Sequence, residues 1–132
     1  MHTDSRPRID LMLDIETLGT DSNAIILQIA YKNFILYRNA PDIDVETNIH
    51  LTALGNILLG RTASYDTIQW WNKPDRAAAL HDIIEIDRNA HDAQDGLLMV
   101  YDELTNLCKN YQTYIWCRGY DFDLRILDSA MR

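Results

Sequence analysis

An α/β domain built on a mixed sheet is what this sequence predicts, on three observations. Residues 9 to 15 and 43 to 51 alternate apolar and polar side chains with the period of two that belongs to a half-buried strand. Residues 92 to 111 instead place Leu97, Val100, Tyr101, Leu104, Leu107 and Cys108 at the i, i+3, i+4 spacing of an amphipathic helix. Strand-like and helix-like segments alternate toward the C-terminus, giving the order β-β-β-α-α-α-β-α.

Taken in order, Ile9, Leu11, Leu13 and Ile15 form one face of the first strand, and Asp10, Met12 and Asp14 the other. "TLGTDSN" carries turn residues, and "AIILQIAYKNF" has the length and apolar content of a central strand. In "DIDVETNIHL", Ile43, Val45, Thr47, Ile49 and Leu51 oppose Asp44, Glu46, Asn48 and His50, so one side of the third strand is wet. "SYDTIQWWNKPDRAAALHDIIE" has an Asp at an N-cap position and a Pro opening an Ala-rich run, which predicts two short helices split near Pro74. The long helix that follows is capped near Asp92. "TYIWC" is a short strand, and "DFDLRILDSAMR" opens a final helix with Asp121 as its N-cap.

A length of 132 residues with 47% hydrophobic side chains suits a single domain, residues 1–132, around one core. The net charge of -8 argues against a general phosphate-gripping surface, so any nucleic-acid contact is expected to be local. "MHTDSRPRID" has no apolar stretch of signal-peptide length and no segment is long enough to span a membrane, so a soluble cytoplasmic protein is expected. Cys108 and Cys117 lack metal-ligand spacing and fit packed thiols in a reducing compartment.

The chemistry begins at Asp14 and Glu16. Side chains at i and i+2 of a strand share a face, with alpha carbons roughly 6.5 to 7 Å apart. Two such charges repel by roughly 3 kcal/mol at an effective dielectric near 20, and a divalent cation relieves that repulsion. Hard oxygen donors favour Mg²⁺ or Mn²⁺ over Zn²⁺, and such ions suit phosphodiester cleavage. In a chain with 20 acids the pair alone fits equally two exposed acids where a strand meets its turn. Asp123 joins them as a third acid just past a strand, at the start of a helix, from where it can point back at the sheet edge. Its ordinary alternative is an acid complementing the helix dipole.

"MLDIETLGT" resembles the first motif of the DnaQ-like, DEDD-type 3′-5′ exonucleases, and "GYDFDLRIL" resembles their second. The phage exonuclease A and Rv2179c-like exoribonuclease branch is also similar at "TIQWW" and "WCRGYDFD", so the likeness covers residues 9 to 132. It implies a ribonuclease H-like fold, two Mg²⁺ or Mn²⁺ ions held by Asp14, Glu16 and Asp123 as the catalytic carboxylates, and hydrolysis from the 3′ end of single-stranded RNA or DNA. It also implies that the turn at Thr17, Leu18 and Gly19 meets the terminal nucleotide.

Members of that family continue past the second motif through another strand and a helix, which carries a His or Tyr general base and a fourth acid. This sequence stops at Arg132, so the expectation is a C-terminally truncated fold in which neither has a matching position. The uncovered surface would then seek a homodimer or a partner polypeptide. "HDAQD", residues 91 to 95, looks like that third motif but precedes the second and is one residue short, and reads instead as a helix cap and first turn.

Trp70 and Trp71 point about 100° apart on a helix, so one is expected in the core while the other stays open to base stacking; Trp71 is taken as the substrate-side residue. Arg118 and Arg125 lie near Asp123, where each fits either a phosphate contact, for which Arg118 is preferred, or a solvated surface. Trp116 is expected in the core. His81 and His91 read as surface helix residues, and His50 gives no spacing signal.

Overall fold

The computed structural model describes residues 4–86, 90–118 and 122–132. The element order is β1 (Arg8–Thr17), β2 (Ile26–Phe34), β3 (Glu46–His50), α1 (Ala53–Leu58), α2 (Tyr65–Trp71), α3 (Pro74–Ile86), α4 (Ala93–Asn110), β4 (Gln112–Cys117) and α5 (Phe122–Ala130). The four strands form one mixed sheet in the order β3-β2-β1-β4, with β1 antiparallel to β2 and parallel to β4. A parallel pair needs a long crossover, and the helices from α1 to α4 lie in that connection.

Strand β1 lies inside the sheet, between β2 and β4. Ile9, Leu11, Leu13 and Ile15 are buried toward the helices, where Leu97, Val100 and Leu107 of α4 and Ile126 and Leu127 of α5 meet them. The opposite face carries Met12, Tyr114 and Trp116, all more than two-fifths exposed. Trp116 therefore leaves the core expected of it: it is in register with Met12, so the pleat turns both outward. Asp10 shares that face yet is only 3% exposed. Arg8 Nη2 lies 3.0 Å from Asp10 Oδ1, and Trp116 Nε1 donates to the same oxygen at 2.9 Å. Burial raises the Asp10 pKa, but these donors outweigh it and hold the group below the usual carboxylate range.

Helix α1 is absent from the sequence-based order. It is six residues long with Gly55 inside, too short for a period to declare itself. Its role is structural: the Asn56 amide is buried, donating to the Ile26 carbonyl and accepting from the Ile26 N–H. A Cβ at Gly55 would lie 2.7 Å from Asp92 Oδ1 and 2.8 Å from Ala93 N, so only glycine lets α1 abut the start of α4. Helix α2 is capped by Ser64, whose side chain accepts from Thr67 N, while Asp66 sits in the first turn rather than at the cap. Asp92 caps α4 as "HDAQD" was read, and Pro74 opens α3. The expected cap at Asp121 lies outside the described residues.

Arg61 ties the loops to the helices. It is buried, and its guanidinium donates to the carbonyls of Ala24 at 2.8 Å, Ser22 at 3.0 Å and Ile126 at 3.4 Å. These carbonyls belong to the turn before β2 and to α5, so one side chain fixes both. Arg61→Met should lower unfolding stability by about 2 kcal/mol, because leaving buried carbonyls unpaired outweighs the relief of burying no charge. A urea midpoint that falls with an unchanged slope checks this.

Candidate active site

The period of β1 puts Asp14 and Glu16 on the outer face at its C-terminal end, Asp14 exposed and Glu16 half-buried. Asp123 sits half-buried in the first turn of α5, which follows β4 across the parallel pair. Its surroundings reach β1: Asp14 and the backbone N–H of Ile15, the residue between the other two acids, both act on its pKa. Register explains this reach: β4 stops pairing at Leu13, so the edge of β1 beyond it is open to the start of the next helix.

The three carboxylates act on one another. Burial raises the Glu16 pKa first, and the negative charges of Asp14 and Asp123 add to it. Burial likewise raises Asp123, with Asp14 adding and the Ile15 N–H pulling the other way. The Cys117 thiol is pushed up by burial and then by Asp123 and Asp14, while the Leu124 N–H opposes. No ion pair among the described residues involves any of the three acids.

As donors, these side chains are of the kind a hard divalent cation takes: three carboxylates, two of them, Glu16 and Asp123, raised by burial and by neighbouring negative charge. As placed, no three acidic, His or Cys side chains among the described residues stand close enough to enclose a metal ion. The set is thus matched in kind and mutually repelling.

Beside Glu16 a cleft of about 610 Å³ runs between the turn after β1 and helix α2, lined by Glu16, Thr17, Gly19, Thr67, Trp70 and Trp71 among others. The turn approaches α2 closely: Leu18 donates to Ile25 O at 3.0 Å and accepts from Ser64 N at 2.8 Å. A Cβ on Gly19 would lie 3.1 Å from the Ala24 Cβ and 3.5 Å from Ser64 N, which explains a glycine there. Thr17 is buried, with its hydroxyl donating to the Gly19 carbonyl at 2.7 Å, so it shapes the turn. The Leu18 N–H is consumed inside the turn.

The tryptophan pair divides its work. Trp71, expected on the substrate side, is 5% exposed and donates its Nε1–H to the Thr17 carbonyl at 2.9 Å. Trp70 is 44% exposed and meets Trp71 edge-on, with ring centroids 4.9 Å apart. Both line the cleft, but Trp70 presents the open ring. The sequence places one ring inside and takes Trp71 as the substrate-side one, whereas Trp71 is the buried ring, because that choice belongs to how α2 lies on the turn. Arg118 is exposed just beyond β4, and Arg125 is exposed on α5; neither lines the cleft. Ser64, Asp66 and Thr67 line it and were not singled out by sequence, since small polar residues near a helix start signal only a cap. Exposed His91 precedes α4, and exposed His81 lies on α3.

A family model described as the 3′-5′ exoribonuclease Rv2179c-like domain matches residues 9–132. No curated protein matches the chain.

The acid trio has a pH signature. An acid whose pKa is higher folded than unfolded favours the folded state when protonated, so its contribution is complete below the unfolded pKa and is lost as pH rises through the folded one. Glu16→Gln should therefore raise the melting temperature at pH 7 in metal-free buffer. The gain should vanish below about pH 4, where an ordinary carboxylate becomes protonated in both states. Thermal melts across that range check it.

Proposed function

The chain belongs to the Rv2179c-like 3′-5′ exoribonuclease domain family, a DnaQ-like branch, and from that premise we propose a metal-dependent exonuclease that removes nucleotides from the 3′ end of single-stranded RNA. The family match suggests the 3′-5′ exonuclease activity and a nucleic-acid substrate. The observation that supports the rest is Glu16, which lines a cleft together with Trp70 and Trp71 and feels the negative charges of Asp14 and Asp123. The ribonuclease H-like fold follows from the family and agrees with the mixed four-stranded sheet and its flanking helices.

Asp14, Glu16 and Asp123 would hold Mg²⁺ or Mn²⁺, which when bound supplies an activated water and charge neutralisation at the scissile phosphate. The chain does the positioning. Strand β1 sets two acids at a fixed spacing, and the first turn of α5 brings the third to the same edge of the sheet. Trp71 holds the Thr17 carbonyl, so the wall of the cleft next to Glu16 cannot drift from α2. Trp70 offers an aromatic face to the terminal base, a contact that tolerates any base. The net charge of -8 disfavours long internal contacts and leaves the strand end as the favoured ligand. Among the described residues no helix is long and apolar enough to cross a membrane.

A second reading rests on the outer sheet face, where Met12, Tyr37, Tyr114 and Trp116 are exposed with Ile35 and Leu36 alongside. Such a face suits an interaction module that pairs with itself or with a second polypeptide. Light scattering on the purified protein separates the readings: a stable monomer that resists dilution and aggregation removes the motive for the second.

For the first reading, adding Mn²⁺ at a hundredfold its dissociation constant should stabilise the protein by about 2.7 kcal/mol. Asp14→Asn should abolish both that shift and release of mononucleotides from a labelled RNA 3′ end. Turnover that survives the substitution, or a preference for DNA, would overturn the assignment in whole or in its substrate.

A further inference from the structure

Arg76, in the first turn of α3, has donors to spare. Its guanidinium carbon lies 4.0 Å from the centroid of the Trp70 ring, the exposed ring of the cleft. Its ion pair is with its chain neighbour Asp75, Nε to Oδ2 at 3.9 Å, too long for a hydrogen bond. Nη1 is screened from solvent and meets no acceptor among the described residues. By contrast Arg61 is satisfied by carbonyls and Arg8 by Asp10. A screened, charged donor without an acceptor raises the free energy of the fold until an anion supplies one. The side chain as a whole is 30% exposed; it is not itself a lining residue of the cleft, but the ring it covers is.

The surroundings specify what kind of anion. Glu16, Asp21 and Asp66 line the cleft, so a free carboxylate would be repelled from most of its wall. A nucleic-acid strand overcomes this by bringing a base for Trp70 together with a phosphate for the guanidinium, whose planar fork matches phosphate oxygens in two-point contact. The stack on Trp70 also holds the guanidinium in one plane, which lowers the ordering cost of the contact.

Resting on the exonuclease reading, we infer that Arg76, carried on Trp70, is a specificity-determining residue that grips a backbone phosphate of the RNA other than the scissile one. Arg76 thereby makes the protein prefer a strand to a lone nucleotide. The cationic stack is this chain's own provision against the charge of its cleft.

The test compares wild type, Arg76→Gln and Arg76→Lys in two measurements. In the first, binding of a fluorescent single-stranded oligoribonucleotide is followed by anisotropy in Ca²⁺ over a range of salt. Arg76→Gln should weaken binding about tenfold and make the log–log salt slope shallower by about 0.7, the signature of one lost phosphate contact on a single strand. Arg76→Lys, which keeps the charge, should recover the slope and part of the affinity. In the second, with Mn²⁺, the ratio of KM for the oligoribonucleotide to KM for a nucleoside 5′-p-nitrophenyl phosphate should rise several-fold in Arg76→Gln. Unchanged affinity and slope, or an unchanged ratio, would overturn the inference. Wild-type protein that leaves the nitrophenyl ester intact counts against the exonuclease reading instead, and the anisotropy series still decides Arg76.

Discussion

A buried guanidinium that finds carbonyls rather than a carboxylate holds the acid-bearing parts of this molecule in register. Arg61 enters from the segment between α1 and α2 and bonds to the turn before β2 and to the carbonyl of Ile126 in α5. That turn continues from the strand bearing Asp14 and Glu16, and α5 bears Asp123. Burial lowers the Arg61 pKa, yet a guanidinium starts so high that it stays charged. The cost of burying it is offset by hydrogen bonds that a neutral side chain of similar length cannot reproduce. Packing of Ile126 and Leu127 against β1 supplies most of the adhesion of α5; Arg61 supplies its aim.

Two carboxylate environments on one sheet face show how the chain separates architecture from chemistry. Asp10 is sealed beneath Arg8 and Trp116, while Arg8 is itself stacked on Tyr114 and Tyr37, at 3.7 and 4.5 Å from their centroids. Its charge is spent on holding β4 to β1. Four residues further along, Asp14 and its companions have no such cation among the described residues, and burial together with mutual repulsion raises Glu16 and Asp123. Identical side chains on one strand therefore differ in readiness for a ligand, and the difference comes from who stands opposite them. Local strain of this sort is tolerated where the surrounding packing over-determines the backbone.

The parts legible in the sequence are those where periodicity or residue type carries the information locally. Strands β1 and β3 and helix α4 announce themselves by spacing, and the family by the motifs around Asp14, Glu16 and Asp123. Strand β4 is a different case: four consecutive apolar or aromatic residues, Tyr114 to Cys117, identify a strand, but which alternate set faces inward is decided by the register with β1, and Trp116 went the other way. The same limit applies to Trp70 and Trp71. Arg61, in "GRTAS", has nothing beside it to mark it as buried, because all three of its acceptors come from distant parts of the chain. Helix α1 escaped notice for being six residues long, and Arg76 because Pro74 separates it from the ring it stacks on.

The pairing of β1 with β4 also bears on how the protein comes into being. Asp10 and Trp116 are 106 positions apart, yet they share a hydrogen bond. Partners so distant must wait for the intervening polypeptide to collapse before loop closure is repaid, which makes this pairing a late event. A ribosome releasing the chain exposes Asp14 and Glu16 early and Asp123 only near residue 123. The site proposed for this chain therefore waits on late-made polypeptide, because Asp123 is synthesised more than a hundred positions after Asp14 and Glu16.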